Sequence, residues 1–198
     1  MIVESSGHTQ QLSNIQGLIC IDCWEDSKLN LYYDRLENNL DLAQFDSIVV
    51  ANYELALDST DMCQFNTMQV YSWETFTPDI VLPLVKESRL KKTSNWLQSK
   101  LSSNSFLLLD SQSLVHHITT AVPHVTNWLV IGGGWQVCTH GRPVGFGTLQ
   151  LLPYDFYIAP WSLYNTNSND LTVSINDIAQ DKFIWEDQGN NLFRLKND

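Results

Sequence analysis

The chain has 198 residues, 43% of them hydrophobic, which suits one domain with a substantial core and excludes a disordered or collagen-like polymer. Against 22 Asp and Glu stand only 11 Lys and Arg, a formal charge of −11. With no basic stripe to displace counterions, nucleic acid is not an expected partner.

Residues 1–16 are polar and read as an N-terminal arm. Their opening, Met1-Ile-Val-Glu-Ser-Ser-Gly-His8, lacks the basic and apolar regions of a signal peptide. Gly17-Leu-Ile-Cys-Ile-Asp22 is a continuous apolar run ending in an acid, the pattern of a strand buried on both faces of a parallel sheet. Leu29, Tyr32, Tyr33, Leu36 and Leu40 then form one stripe of a helix. Ser47-Ile-Val-Val-Ala51 predicts a second strand, Asp79 to Leu101 a second helix with Pro83 in its first turn, and Ser105-Phe-Leu-Leu-Leu-Asp110 a third strand. A third helix is expected from Ser113 to Val122, stopping before Pro123. Asn127-Trp-Leu-Val-Ile-Gly132 is a fourth strand, and after Cys138 a further helix is expected to about Leu152. The partly alternating Tyr154-Asp-Phe-Tyr-Ile158 reads as a fifth strand nearer an edge.

Strands alternating with helices imply right-handed βαβ crossovers. The expected fold is therefore α/β over residues 17–160, three-layered, with a mostly parallel sheet and helices on both faces. Residues 161–198 read as a C-terminal extension. It holds an Asn-rich loop (Asn165–Asp170), an ambiguous stretch (Leu171–Ile178) and a hairpin, Lys182–Glu186 and Leu192–Lys196 around Asp187-Gln-Gly-Asn-Asn191. No apolar run reaches the roughly 18–20 residues of a membrane helix, so no membrane partner is expected. The four cysteines read as thiols, which fits the reducing cytoplasm or a virion assembled in it.

In an open parallel sheet, ligands sit beyond the carboxyl ends of strands where the strand order reverses. Asp22 ends the first strand, Asp110 the third, and the fourth runs into Gly132-Gly-Gly-Trp-Gln-Val-Cys138. A cysteine at the start of a helix has its thiolate stabilised by unpaired amides, and a nearby carboxylate can take its proton. The glycine run lacks the third Gly of a dinucleotide fingerprint, so no nucleotide cofactor is expected, nor any other. Cys20, Cys23, Cys138 and His140 make a four-ligand zinc set on paper, but the spacing fits no zinc module. His116 and His117 are adjacent and diverge on a helix, leaving at least one on the surface. Trp128, Trp135, Trp161, Phe156 and Tyr164 read as core first and pocket lining second.

Leu18-Ile-Cys-Ile-Asp22, followed much later by Leu129-Val-Ile-Gly132 and Cys138, resembles the isochorismatase-like cysteine hydrolases. The resemblance spans roughly residues 17 to 160 and rests on short motifs. It implies a catalytic set of Asp, Lys and Cys, in which the Asp activates a Cys that attacks a carbonyl or amide carbon while the Lys supports the charge. Asp22 and Cys138 match the first and last. The Lys is missing: past the third strand the chain reads Leu109-Asp110-Ser111-Gln112. An acid in place of that cation opposes thiolate formation. Arg142 is a candidate substitute cation, four residues past Cys138, whereas Lys86, Lys91 and Lys92 read as a solvated helix face. Pro143 moves the expected start of the regular helix to His140–Arg142.

Two readings follow. One is an active cysteine hydrolase for a small amide or ester, which implies a small-molecule ligand. The other is a degenerate hydrolase fold serving a structural or interaction role, in a style that fits phage or virus assembly. The missing Lys, the acidic surface, the Asn-rich tail and the hairpin favour the second. Large side chains from Phe183 to Leu195 point to a homo-oligomer or protein complex built through residues 182–196.

Overall fold

Strand β1, Gly17–Ile21, is buried at every position, as its unbroken apolar sequence requires. The computed structural model describes residues 12–21, 29–51, 107–109, 114–115, 117–136, 138–141, 145–165 and 167–197. The expected helix at 79–101 lies outside them. Further strands are β2 (Ser47–Ala51), β3 (Leu107–Leu109), β4 (Asn127–Gly134), β5 (Asp155–Ile158), β6 (Leu163–Tyr164), β7 (Trp185–Asp187) and β8 (Phe193–Leu195). They are ordered β3-β2-β1-β4-β5-β8-β7, with β6 pairing with β4 off this path. Strands β1 to β5 run parallel to one another, and β8 pairs antiparallel with both β5 and β7, so the fold is α/β with a mixed sheet.

The period-two alternation of a strand divides the core between the two faces of the sheet. On one face Leu18, Cys20, Leu129 and Ile131 meet Tyr32, Tyr33 and Leu36 of helix α1, Asn30–Asn39. These are three of the five residues in the expected stripe, and Leu29 and Leu40 join the same cluster. On the other face Ile19, Ile21, Trp128 and Val130 meet Leu114, Ile118, Phe146, Leu149 and Ile178. Each such side chain, fully buried, contributes on the order of 1.5–3 kcal/mol. Tyr32 also ties the α1 face to the sheet through polar bonds. Its hydroxyl donates to the Ser162 carbonyl at 2.8 Å and accepts from the Gly132 N–H at 2.7 Å.

Several local expectations change. Instead of an α-helix to Val122, the chain forms a π-helical turn, His117–Ala121. The Thr119 hydroxyl donates back to the Val115 carbonyl at 2.8 Å, and Val122 N–H reaches the His117 carbonyl at 3.2 Å. Side-chain competition of this kind disturbs regular helix. The helix expected from beyond Cys138 to Leu152 is two short ones, α2 (Cys138–Gly141) and α3 (Phe146–Leu149). Gly145 between them is extended, with ψ −175°, and starts the second. Helix α2 begins at Cys138, ahead of the His140–Arg142 start expected from Pro143.

Leu12 and Ile15, within the polar arm of the sequence reading, are buried in the α1-side cluster. The C-terminal extension joins the sheet as well, since β6 pairs with β4 and β8 with β5. Strand β5 is therefore the edge of the parallel portion, covered by the hairpin. The turn of that hairpin holds Gly189, Asn190 and Asn191 at φ of 83°, 49° and 62°, a left-handed run that Gly and Asn tolerate best. Within the ambiguous 171–178 stretch, helix α4 (Ile175–Ala179) starts on a capping box made by Ser174 and Asp177.

Candidate functional site

In the order β3-β2-β1-β4-β5 the winding reverses between β1 and β4, and the carboxyl ends of these two strands are where ligands sit in sheets of this kind. They pair in parallel with Ile21 opposite Gly132. Asp22, which follows Ile21, lies outside the described residues, as do Cys23, Asp110 and Arg142. Asp110 follows β3, which is separated from β1 by β2.

The glycine run brings Cys138 to this end of the sheet. Gly132 and Gly133 take φ of 87° and 46°, left-handed conformations that a side chain would strain. A Cβ at Gly133 would lie 2.8 Å from Thr139 Cγ2, 3.3 Å from Cys138 Cβ and 3.5 Å from Ile21 Cγ2. The run thus lets the first residues of α2 approach the last residue of β1. Cys138 is half-buried there and packs against the core cluster on the α3 side.

His140, two residues on, is bound at both ring nitrogens. The Gln136 backbone N–H donates to Nδ1 at 3.2 Å, and the Thr139 hydroxyl lies 2.8 Å from the same atom. Because a backbone N–H can only donate, Nδ1 is an acceptor and the ring proton sits on Nε2. Nε2 therefore donates to Asp181 Oδ1, at 2.6 Å. The side chains of the pair are 5% and 2% exposed. Burial pushes the Asp181 carboxyl up. Hydrogen bonds from His140, Trp185 Nε1 (2.8 Å) and the Lys182 backbone outweigh it and hold the carboxyl below its ordinary value. Aromatic rings enclose the imidazole: Trp135 edge-on at 4.8 Å between centroids, Phe183 at 5.3 Å and Phe146 at 5.5 Å.

His140 entered the sequence reading only as a zinc ligand. Its partner Asp181, 41 residues away, carries no sequence signal beyond its place just before the hairpin. Cys20 packs in the α1-side cluster and Cys138 against the opposite one, so these two thiols face away from each other across the sheet. Among the described residues no group of three or more His, Cys, Asp or Glu could hold a metal ion. The aromatic set of the sequence reading divides in the same way. Trp128, Trp135 and Phe156 pack on the α3 side and Tyr164 and Trp161 on the α1 side, so they line no single pocket.

Helix α2 thus carries a half-buried thiol at its first residue and, two residues on, an imidazole whose lone pair and proton are both engaged. Comparison of the chain with family models, with curated proteins and with solved structures finds no match.

Proposed function

We propose that this chain carries an isochorismatase-like, three-layer α/β fold that has lost its catalytic Lys and works in protein assembly, in the cytoplasm or a virion, rather than in turnover. The observation that carries this reading is the sequence past β3, Leu109-Asp110-Ser111-Gln112, which holds an acid and no Lys. With Nδ1 accepting from Gln136 and Nε2 donating to Asp181, His140 offers no free lone pair as a substitute base. The parallel β1–β4 pairing and the seat of Cys138 beyond it support the family side of the proposal. The acid at position 110, where the resemblance calls for Lys, supports the loss of activity.

Self-association is proposed through residues 182–196. Phe193 and Leu195 face inward, so the contact falls to β7, at the end of the sheet order, and to Ile184 beside it, which is 63% exposed. A strand at a sheet edge offers backbone groups for pairing with another chain.

Site-resolved alkylation of the full chain by iodoacetamide tests the catalytic half. Cys138 is expected to react slowly at pH 6 and much faster at pH 9, as a thiol without an activating base does. Rapid modification of Cys138 at pH 6 favours the alternative, a cysteine hydrolase cleaving a small amide or ester with Cys138 as nucleophile and Asp22 as base. Light scattering tests the assembly half: a mass above one chain, reduced by Ile184→Glu, is expected, and a monomeric wild type refutes it.

A further inference from the structure

The C-terminal hairpin and helix α3 frame a half-open cavity of 660 Å³, a size suited to a small molecule. Its lining combines the lysines Lys182 and Lys196, the amides of Gln150 and Asn197, and the apolar Phe183 and Ile184. We propose that this cavity binds a small carboxylate with an apolar body, of the size and shape of an aromatic acid.

The charge pattern carries the assignment. In a chain where acids outnumber bases 22 to 11, two of the bases converge on one concavity whose lining includes no Asp or Glu among the described residues. The carboxylates nearby are already committed. Asp181 is bound to His140, Trp185 and the Lys182 backbone, and Glu186 is held by the Arg194 guanidinium. Lys182 therefore meets no carboxylate in the lining, while Lys196 also lies within electrostatic reach of Glu186 outside it. Lys182 Nζ stands 5.0 Å from the centre of the Phe183 ring, which puts a cation and an aromatic face side by side. The Lys196 N–H donates to the Ile184 carbonyl at 2.9 Å and ties the two ends of the hairpin into one wall. His140 contributes only a ring surface, since both its nitrogens are used. The apolar Phe183 and Ile184 beside the lysines favour an anion with a hydrophobic body.

Gly147 completes the lining and supplies a clean test. A Cβ there meets nothing nearer than Phe183 Cζ at 3.9 Å, so Ala fits and a longer side chain grows beside Phe183. Benzoate is titrated into the ¹⁵N-labelled full chain, with benzamide and benzylamine as neutral and cationic matches. Saturable shifts are expected at the amides of Gly147, Gln150, Phe183 and Ile184, with benzamide bound at least about five-fold more weakly. Lys182→Gln and Lys196→Gln should each weaken benzoate roughly three-fold, the size expected for an exposed ion pair. Gly147→Leu should abolish binding while Gly147→Ala retains it. Absence of saturable shifts, an equal response to benzamide, or undiminished binding in a folded Gly147→Leu would overturn the proposal. The comparison of three ligands on the wild type decides the matter even where a variant fails to fold.

Discussion

Replacing Gly17 by Ala isolates how tightly the centre of the sheet is built. Gly17 opens β1 directly opposite Trp128 of β4, and the indole lies over it. A Cβ at position 17 would fall 2.2 Å from Trp128 Cε3 and 2.5 Å from Cδ2, inside any tolerable contact. Trp128 is fully buried, and its Nε1 donates to the Val125 carbonyl at 2.9 Å. The ring can move away only by breaking that bond, at about 1 kcal/mol, and by disturbing its neighbours, at about 1–3 kcal/mol for overpacking. The sum is about 3 kcal/mol, or roughly 6–12 °C in Tm for a chain of this size. Urea denaturation followed by circular dichroism measures it. The variant Trp128→Leu removes the clashing ring, so the double variant should be more stable than the sum of the single effects predicts, with a coupling of about 1 kcal/mol or more. A Gly17→Ala protein within 2 °C (about 0.5 kcal/mol) of wild type would refute the packing argument.

Asp181→Asn should cost about 2–3 kcal/mol at pH 7, since an amide cannot accept from both His140 and Trp185. The folded carboxyl titrates below its ordinary value, so its stabilisation is present above about pH 4 and is lost as the pH falls through the folded value. The difference in urea midpoint between wild type and variant should accordingly shrink below about pH 4, and a pH-independent gap would contradict it. Tyr32→Phe removes one donor and one acceptor between α1, Ser162 and Gly132, with an expected loss of about 1–2 kcal/mol by the same assay. Ser174→Ala removes the side chain that accepts from Asp177 N–H at 3.0 Å, and about 1 kcal/mol should be lost.

The strands were legible where their sequences are apolar throughout. Leu18-Ile-Cys-Ile and Trp128-Leu-Val-Ile have no polar residue to place on a wet face, which forces a two-sided core. Their parallel direction agrees with that reading, whereas nothing in either run says that the two strands are neighbours. The helices were less legible because short-range competition decides them. Thr119 bonding back to Val115 and the extended Gly145 each interrupt a stripe whose periodicity alone is helical. The capping box at Ser174 and Asp177 was present as a local pattern in a stretch read as ambiguous. The His140–Asp181 pair could not be read at all, because its members lie on separate elements brought together by the docking of the extension. Gly133 was informative in a way that a search for a nucleotide fingerprint misses, as it makes room for Thr139 and Cys138.

The position of β1 between β2 and β4 governs the order in which the chain can be completed. One neighbour follows it closely in sequence, whereas the other begins only at Asn127. During synthesis this wholly apolar strand therefore waits with one side unpaired until well over half the chain has been made. Contacts this distant in sequence slow folding, and an unsatisfied strand edge meanwhile invites association with other nascent chains. Production of the protein should depend on chaperone capacity and on translation speed through the segment between β2 and β4, even where the finished fold is stable.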